Sequence, residues 1–149
     1  MRVRAIGACF ATLVAVSGLT AAAIAQRSDE AAVREAVGHY LQGHATGDGA
    51  HFRMVFHPEA KLFWVQGDEL RQRTSADYIA GAPGKPAPDE AQRKRRIERV
   101  DVSGNAAVAK VILDYPSDAL TDYLSLLKVN GEWKIVNKIF VRQPKSAGR

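Results

Sequence analysis

Asn130-Gly131 constrains the fold of this chain more than any other pair of residues. It is flanked by two runs rich in β-branched, aromatic and large apolar residues, Thr121 to Val129 and Glu132 to Phe140. Asn-Gly suits a type I′ turn, whose two central residues need positive φ, so the segment predicts a β-hairpin with a two-residue loop. That loop pairs Val129 with Glu132, Lys128 with Trp133, Leu126 with Ile135, Leu124 with Asn137 and Asp122 with Ile139. Side chains alternate across a strand, so one face should read Trp133, Leu126, Ile135, Leu124 and Ile139, with Asp122 and Asn137 as its polar members. The other face carries Thr121, Tyr123, Ser125, Leu127, Lys134, Val136, Lys138 and Phe140, a mixed surface suited to partial solvation or to a homodimer contact. A carboxylate among apolar side chains is costly unless paired or protonated. Asp122 is therefore either a functional group or a strand-end residue that reaches water.

The other end of the chain reads differently. Met1-Arg2-Val3-Arg4 is followed by an apolar stretch from Ala5 to about Thr20 and by Ala23-Ile24-Ala25. A basic start, a short apolar core and a small-x-small site describe a signal peptide over residues 1–25, which implies an exported, periplasmic or secreted protein. An uncleaved anchor is the alternative, although Gly7, Ser17 and Gly18 interrupt the stretch and it is short for a span. Cys9 is the only cysteine, so the mature chain would have neither disulfide nor thiol chemistry. The formal charge of +5 falls to +3 without Arg2 and Arg4. That is too weak to argue for nucleic acid. Cleavage leaves one small domain, 26–143, and a flexible tail, 144–149.

Along that domain, Ser28 or Asp29 can cap a helix whose stripe is Val33, Ala36, Val37, Tyr40, Leu41 and His44. Gly47 ends it, and Asp48 can cap a short helix with Phe52, Val55 and Phe56, stopped at His57-Pro58. Ala60 to Gln66 and Glu69 to Arg73 read as strands about Gly67-Asp68. Thr74 to Asp77 resembles a capping box before a brief helix through Ile79. Three prolines and two glycines make Gly81 to Asp89 a loop. Strands then follow from Gln92 to the end of the hairpin. Helices early and strands late give an α+β domain, one sheet bent round a long amphipathic helix with a conical cavity between them.

This pattern resembles the nuclear transport factor 2-like superfamily of cone-shaped domains. Within it, the chain is most similar to the small proteins called "putative lumazine-binding" or SnoaL-like. The opening helix with Tyr40 and Gly47-Asp48 carries the resemblance, as do Phe56-His57-Pro58-Glu59-Ala60, Val102 to Ala109 and, most strongly, Thr121 to Lys138. It implies a cone-shaped single domain with a curved, mostly antiparallel sheet. Activity is not implied, because members include dehydratases, isomerases, cyclases and binders without catalysis.

The resemblance implies catalytic candidates. Tyr40 falls where isomerase-type relatives place a tyrosine that donates to an enolate-like oxygen; the alternative is a packed aromatic. His57 falls near the mouth, where relatives carry an acid or base, and its alternative is a helix-capping loop residue. Glu59, and not an aspartate, is the nearest carboxylate there. Asp122 is the third candidate. Trp64, Leu124 and Asn137 join Tyr40 and Asp122 as residues facing a ligand, with Trp64 otherwise a core residue. Histidines 39, 44, 51 and 57 lack the helical pair with intervening Glu of zinc hydrolases, and no phosphate loop or nucleophile elbow is present, so neither metal nor cofactor is expected. The run Arg93 to Arg96 alternates faces and reads as a solvated strand start, with a contact to anionic lipid headgroups or an acidic ligand as the alternative. Three functions remain: an exported pocket protein for a small apolar or ring-containing molecule, a cofactor-free lyase or isomerase using proton transfer in the same cavity, and an interaction module without a ligand whose outer face, with Tyr123, Leu127, Lys138 and Phe140, forms a dimer.

Overall fold

A computed structural model describes the backbone of residues 13–146 and the side chains of residues 26–146. Helix α1 (Leu13–Thr46) leads into α2 (Gly49–Val55), then strands β1 (Phe56–Gln66) and β2 (Glu69–Thr74) and helix α3 (Ser75–Ala80). A 3₁₀ turn at Glu90–Gln92 precedes β3 (Lys94–Ser103), β4 (Ala106–Asp114), β5 (Asp118–Val129) and β6 (Glu132–Pro144). One six-stranded sheet has the order β2-β1-β6-β5-β4-β3, antiparallel except where β1 runs parallel to β6. The architecture is the expected α+β cone, with helices on one face of a mostly antiparallel sheet.

Local chemistry explains most boundaries. Gly47 leaves α1 with φ +70°, and a Cβ there would strike the Lys85 carbonyl, so only glycine fits this crossing of helix end and loop. The Asp48 carboxylate accepts from the Ala50 amide and starts α2. The Thr74 hydroxyl accepts from the Asp77 amide and donates to its carboxylate, which starts α3. At the hairpin, Asn130 and Gly131 have φ of +51° and +84°, the two positive values that a type I′ turn requires.

Two boundaries differ from expectation. Neither Ser28 nor Asp29 caps α1, because the alanine-rich stretch before them continues the helix back to Leu13. Asp29 instead pairs with Lys128 of the hairpin at 2.6 Å. The expected leader thus falls partly on residues outside those described and partly on the first turns of α1. The tail expected from 144 begins within the fold, since Pro144 ends β6 and the Lys145 amide donates to the Ser117 carbonyl. Among the described residues no helix is long and apolar enough to cross a membrane.

The core lies between α1 and the concave sheet face. Val33, Val37 and Tyr40 are fully buried along the helix stripe. They meet Val111 and Leu113 of β4, Leu124 and Leu126 of β5, and Trp133 and Ile135 of β6, with Phe52, Val55, Phe56 and Leu62 closing the narrow end. Each such side chain contributes about 1.5–3 kcal/mol by leaving water.

Candidate functional site

The site begins with a register shift. The pairs Val129–Glu132, Lys128–Trp133 and Leu126–Ile135 form as the turn dictates. Beyond Ile135 the ladder steps by one, so Ser125 pairs with Asn137, Leu124 with Lys138 and Asp122 with Phe140. Val136 is the extra residue, a β-bulge, and a one-residue step exchanges the two faces of a strand. Lys138 and Phe140 therefore turn to the concave face, while Asn137 and Ile139 turn outward. The placement of Asn137 and Ile139 beside Asp122 is corrected accordingly, as is that of Lys138 and Phe140 on the outer face.

The shift answers the question posed by a carboxylate in the core. Asp122 is fully buried, and the Lys138 ammonium lies 3.1 Å from its Oδ2 with only 3 % of its side chain exposed. The Tyr40 hydroxyl donates to the same Oδ2 at 2.5 Å and accepts from Lys138 Nζ at 2.6 Å. Asp122 Oδ1 has no hydrogen-bond partner among the described residues. Burial pushes the Lys138 amine below the ordinary lysine range, and the Asp122 carboxylate pulls it back. Burial, with Tyr78 and Asp122 nearby, holds the Tyr40 phenol well above 10.

A polar chain continues from this triad to the rim. Helical spacing puts His44 one turn beyond Tyr40, ring against ring at 4.8 Å. Its Nε2 lies 3.0 Å from the Tyr78 hydroxyl, carried there by α3, and its Nδ1 is 3.5 Å from the Tyr115 hydroxyl. Arg95 donates to Tyr115 at 3.3 Å, to the His44 carbonyl at 3.1 Å, and with both terminal nitrogens to Glu90. Burial, then Lys138, Arg95 and Arg93, push His44 well below its ordinary 6.5, so it is neutral at pH 7. Burial also raises Tyr78. The Lys138 ammonium lies 5.4 Å from the Tyr78 ring centre and 4.6 Å from that of Phe140.

Above this chain is a cavity of about 170 Å³ lined by His44, Leu62, Trp64, Arg73, Tyr78, Leu120, Lys138 and Phe140. Its walls are largely apolar. Of the residues expected at the site, Tyr40 and Asp122 meet, but beneath the wall and without a place on it. Trp64 does line the cavity, with Phe140 5.5 Å away and Arg73 over its ring at 5.9 Å. Leu124 belongs to the closed core. His57 lies in β1, where its Nδ1 accepts from the Glu59 amide, and it does not line the cavity. The His39 and His51 rings stack with centroids 5.9 Å apart, and neither lines the cavity.

Lys138, Tyr78, Arg95, Arg73 and Tyr115 were missed. Arg95 was within reach of sequence reasoning, since strand alternation puts it on the face of Ile97 and not with the exposed Lys94 and Arg96. Lys138 was not, because Val136-Asn137-Lys138-Ile139 alternates equally well in either register.

A family model described as "Putative lumazine-binding" matches residues 28–141. Solved structures share the architecture. An NTF2-like protein of unknown function from Shewanella baltica is 29 % identical, with 79 % of this chain and 96 % of that one covered and a TM-score of 0.71. A second NTF2-like protein of unknown function, from Silicibacter pomeroyi, is 23 % identical over 79 % and 98 % of the two chains, with a TM-score of 0.69. Among curated proteins, the aldolase FrzH from a Cladobotryum species is 22 % identical over 108 residues, 71 % of this chain and 85 % of that one.

Proposed function

Because the chain belongs to the family described as "Putative lumazine-binding", in the nuclear transport factor 2-like superfamily, we propose that it is a small-molecule-binding protein, exported by its leader-like start, whose ring-containing ligand enters the cavity above Lys138. The observation that carries this reading is the cavity itself: about 170 Å³, walled by Leu62, Trp64, Leu120 and Phe140, with a buried ammonium at its base. Apolar walls with a few convergent polar groups are the usual character of a ligand site. The outer sheet face exposes Val65, Leu70, Val108, Tyr123, Leu127, Ile139 and Val141, and this apolar surface supports a homodimer. Native mass spectrometry of protein purified from the exported fraction tests these readings together. We expect a mass lacking residues 1–25, a dimer, and a co-purifying small molecule released by mild activation. An intact leader would remove export. A monomer across micromolar concentrations would remove the dimer, and a ligand-free spectrum that no ring compound shifts would remove the pocket.

The likeness to an aldolase supports a second reading, cofactor-free lyase or isomerase chemistry by proton transfer. In this reading the wall groups Tyr78, His44 and Lys138 act, and Asp122 and Tyr40 serve through Lys138. Turnover of any substrate found should drop at least about tenfold in Tyr78→Phe, the scale of one lost catalytic hydrogen bond, and stay unchanged in His57→Ala. Activity indifferent to Tyr78→Phe would sink it.

A further inference from the structure

The inference concerns the charge of the occupant and rests on the pocket reading above. Two hollows meet at a shared wall of His44, Arg73 and Tyr78. The inner one is the cavity already described. The outer one, about 230 Å³, is floored by Gly43 and Phe52 and rimmed by Lys85 and Arg93. Their linings together hold four cationic side chains, Arg73, Lys85, Arg93 and Lys138, and no carboxylate.

The acids nearby are already engaged. Asp122 is bound by Lys138 and Tyr40, Asp89 by Arg93, and Glu90 by Arg95. Arg73 has no carboxylate partner among the described residues, and its guanidinium lies over Trp64 at the cavity edge. Lys138 has three N–H groups, and Tyr40 and Asp122 use two. Asp122 offsets Lys138 and Asp89 offsets Arg93, so Arg73 and Lys85 are the lining cations without a carboxylate among the described residues, and that positive charge at the opening favours an anion. An apolar hole of about 150 Å³ holds benzene, so the inner cavity takes one ring and not two.

We propose that the paired hollows bind a monocyclic carboxylate, its ring against Trp64, Phe140 and Leu62, and its carboxylate at the shared wall, held by Arg73 and by the third N–H of Lys138. Arginine suits this group because its planar fork matches both oxygens.

Calorimetric titration of the purified protein with benzoate, its neutral isostere benzamide and inorganic phosphate tests the proposal. Benzoate should bind about tenfold more tightly than benzamide at low salt, as expected for one charge-assisted contact, and lose most of that margin at high salt. Arg73→Gln, at an exposed position where folding is not at stake, should weaken benzoate about tenfold and leave benzamide nearly unchanged. Arg71→Gln, on the same strand but paired with Glu69 outside both hollows, should change neither. Equal affinity for benzoate and benzamide overturns the charge inference but leaves the pocket reading intact. So does equal weakening by Arg71→Gln and Arg73→Gln, which would mean net charge alone. Phosphate binding as tight as benzoate overturns the ring assignment. Binding of no probe overturns the inference, while the pocket reading stands or falls by the native mass spectrum.

Discussion

Replacing Lys138 with methionine should destabilise the fold by about 3–5 kcal/mol, the usual cost of stranding one member of a buried ion pair. Methionine fills nearly the same space, so packing loss is small. The cost arises at Asp122, which is fully buried, has one carboxylate oxygen with no partner, and would keep only the Tyr40 hydroxyl. The double variant Asp122→Asn/Lys138→Met should recover most of the loss, because a neutral amide can share a hydrogen bond with Tyr40 at far lower cost. Urea unfolding of wild type, the two singles and the double gives the coupling directly. If Lys138→Met stays within about 1 kcal/mol of wild type, the pair does not hold the interior as described.

The second large effect is on pH dependence. His44 is neutral in the folded chain until the pH falls well below its ordinary 6.5, because burial and the cations Lys138, Arg95 and Arg93 oppose its protonation. In the unfolded chain it takes up a proton near 6.5. Between those two values the unfolded state binds the extra proton, so stability falls as pH falls, by up to about 1.4 kcal/mol per pH unit. Asp29, Glu90, Glu98, Asp114 and Glu132 are all held below their ordinary values by basic neighbours. Their stabilising contributions are lost only at more acid pH, below about 4.5. The interval from 6.5 to about 5 therefore isolates histidine. Urea midpoints measured across it should slope down for wild type and much less for His44→Gln. Parallel profiles for the two would show that His44 does not resist its proton.

The sequence revealed the scaffold better than the site. The Asn-Gly turn, the Asp48 and Thr74 caps and the helix stripe through Tyr40 are local signals, and each element formed where its signal lay. Asp122 was singled out for sound physical reasons, a charge in an apolar row, and its burial follows. What local pattern could not supply was its partner. The bulge at Val136 costs a ladder hydrogen bond locally and is favoured by a contact far along the chain, Lys138 with Asp122 and Tyr40. Alternation was read through that point as unbroken, so Asn137 was placed where Lys138 stands. The helix start failed for the opposite reason. Ser28 and Asp29 are good caps, but the alanine-rich stretch before them gave the helix no cause to stop. Arg95 was assigned to solvent with its neighbours because Glu90, which binds it, sits on a loop whose course no short-range pattern fixes.

Strand β6 encodes two alternative linings: Lys138 and Phe140 in the arrangement adopted, Asn137 and Ile139 one residue out of phase. The second would leave the buried Asp122 carboxylate without its cation, so the ion pair favours the lining that is displayed. Once both charges are neutralised, nothing electrostatic opposes the slip. A buried pair well away from the hairpin turn thus helps set which side chains of β6 face the cavity.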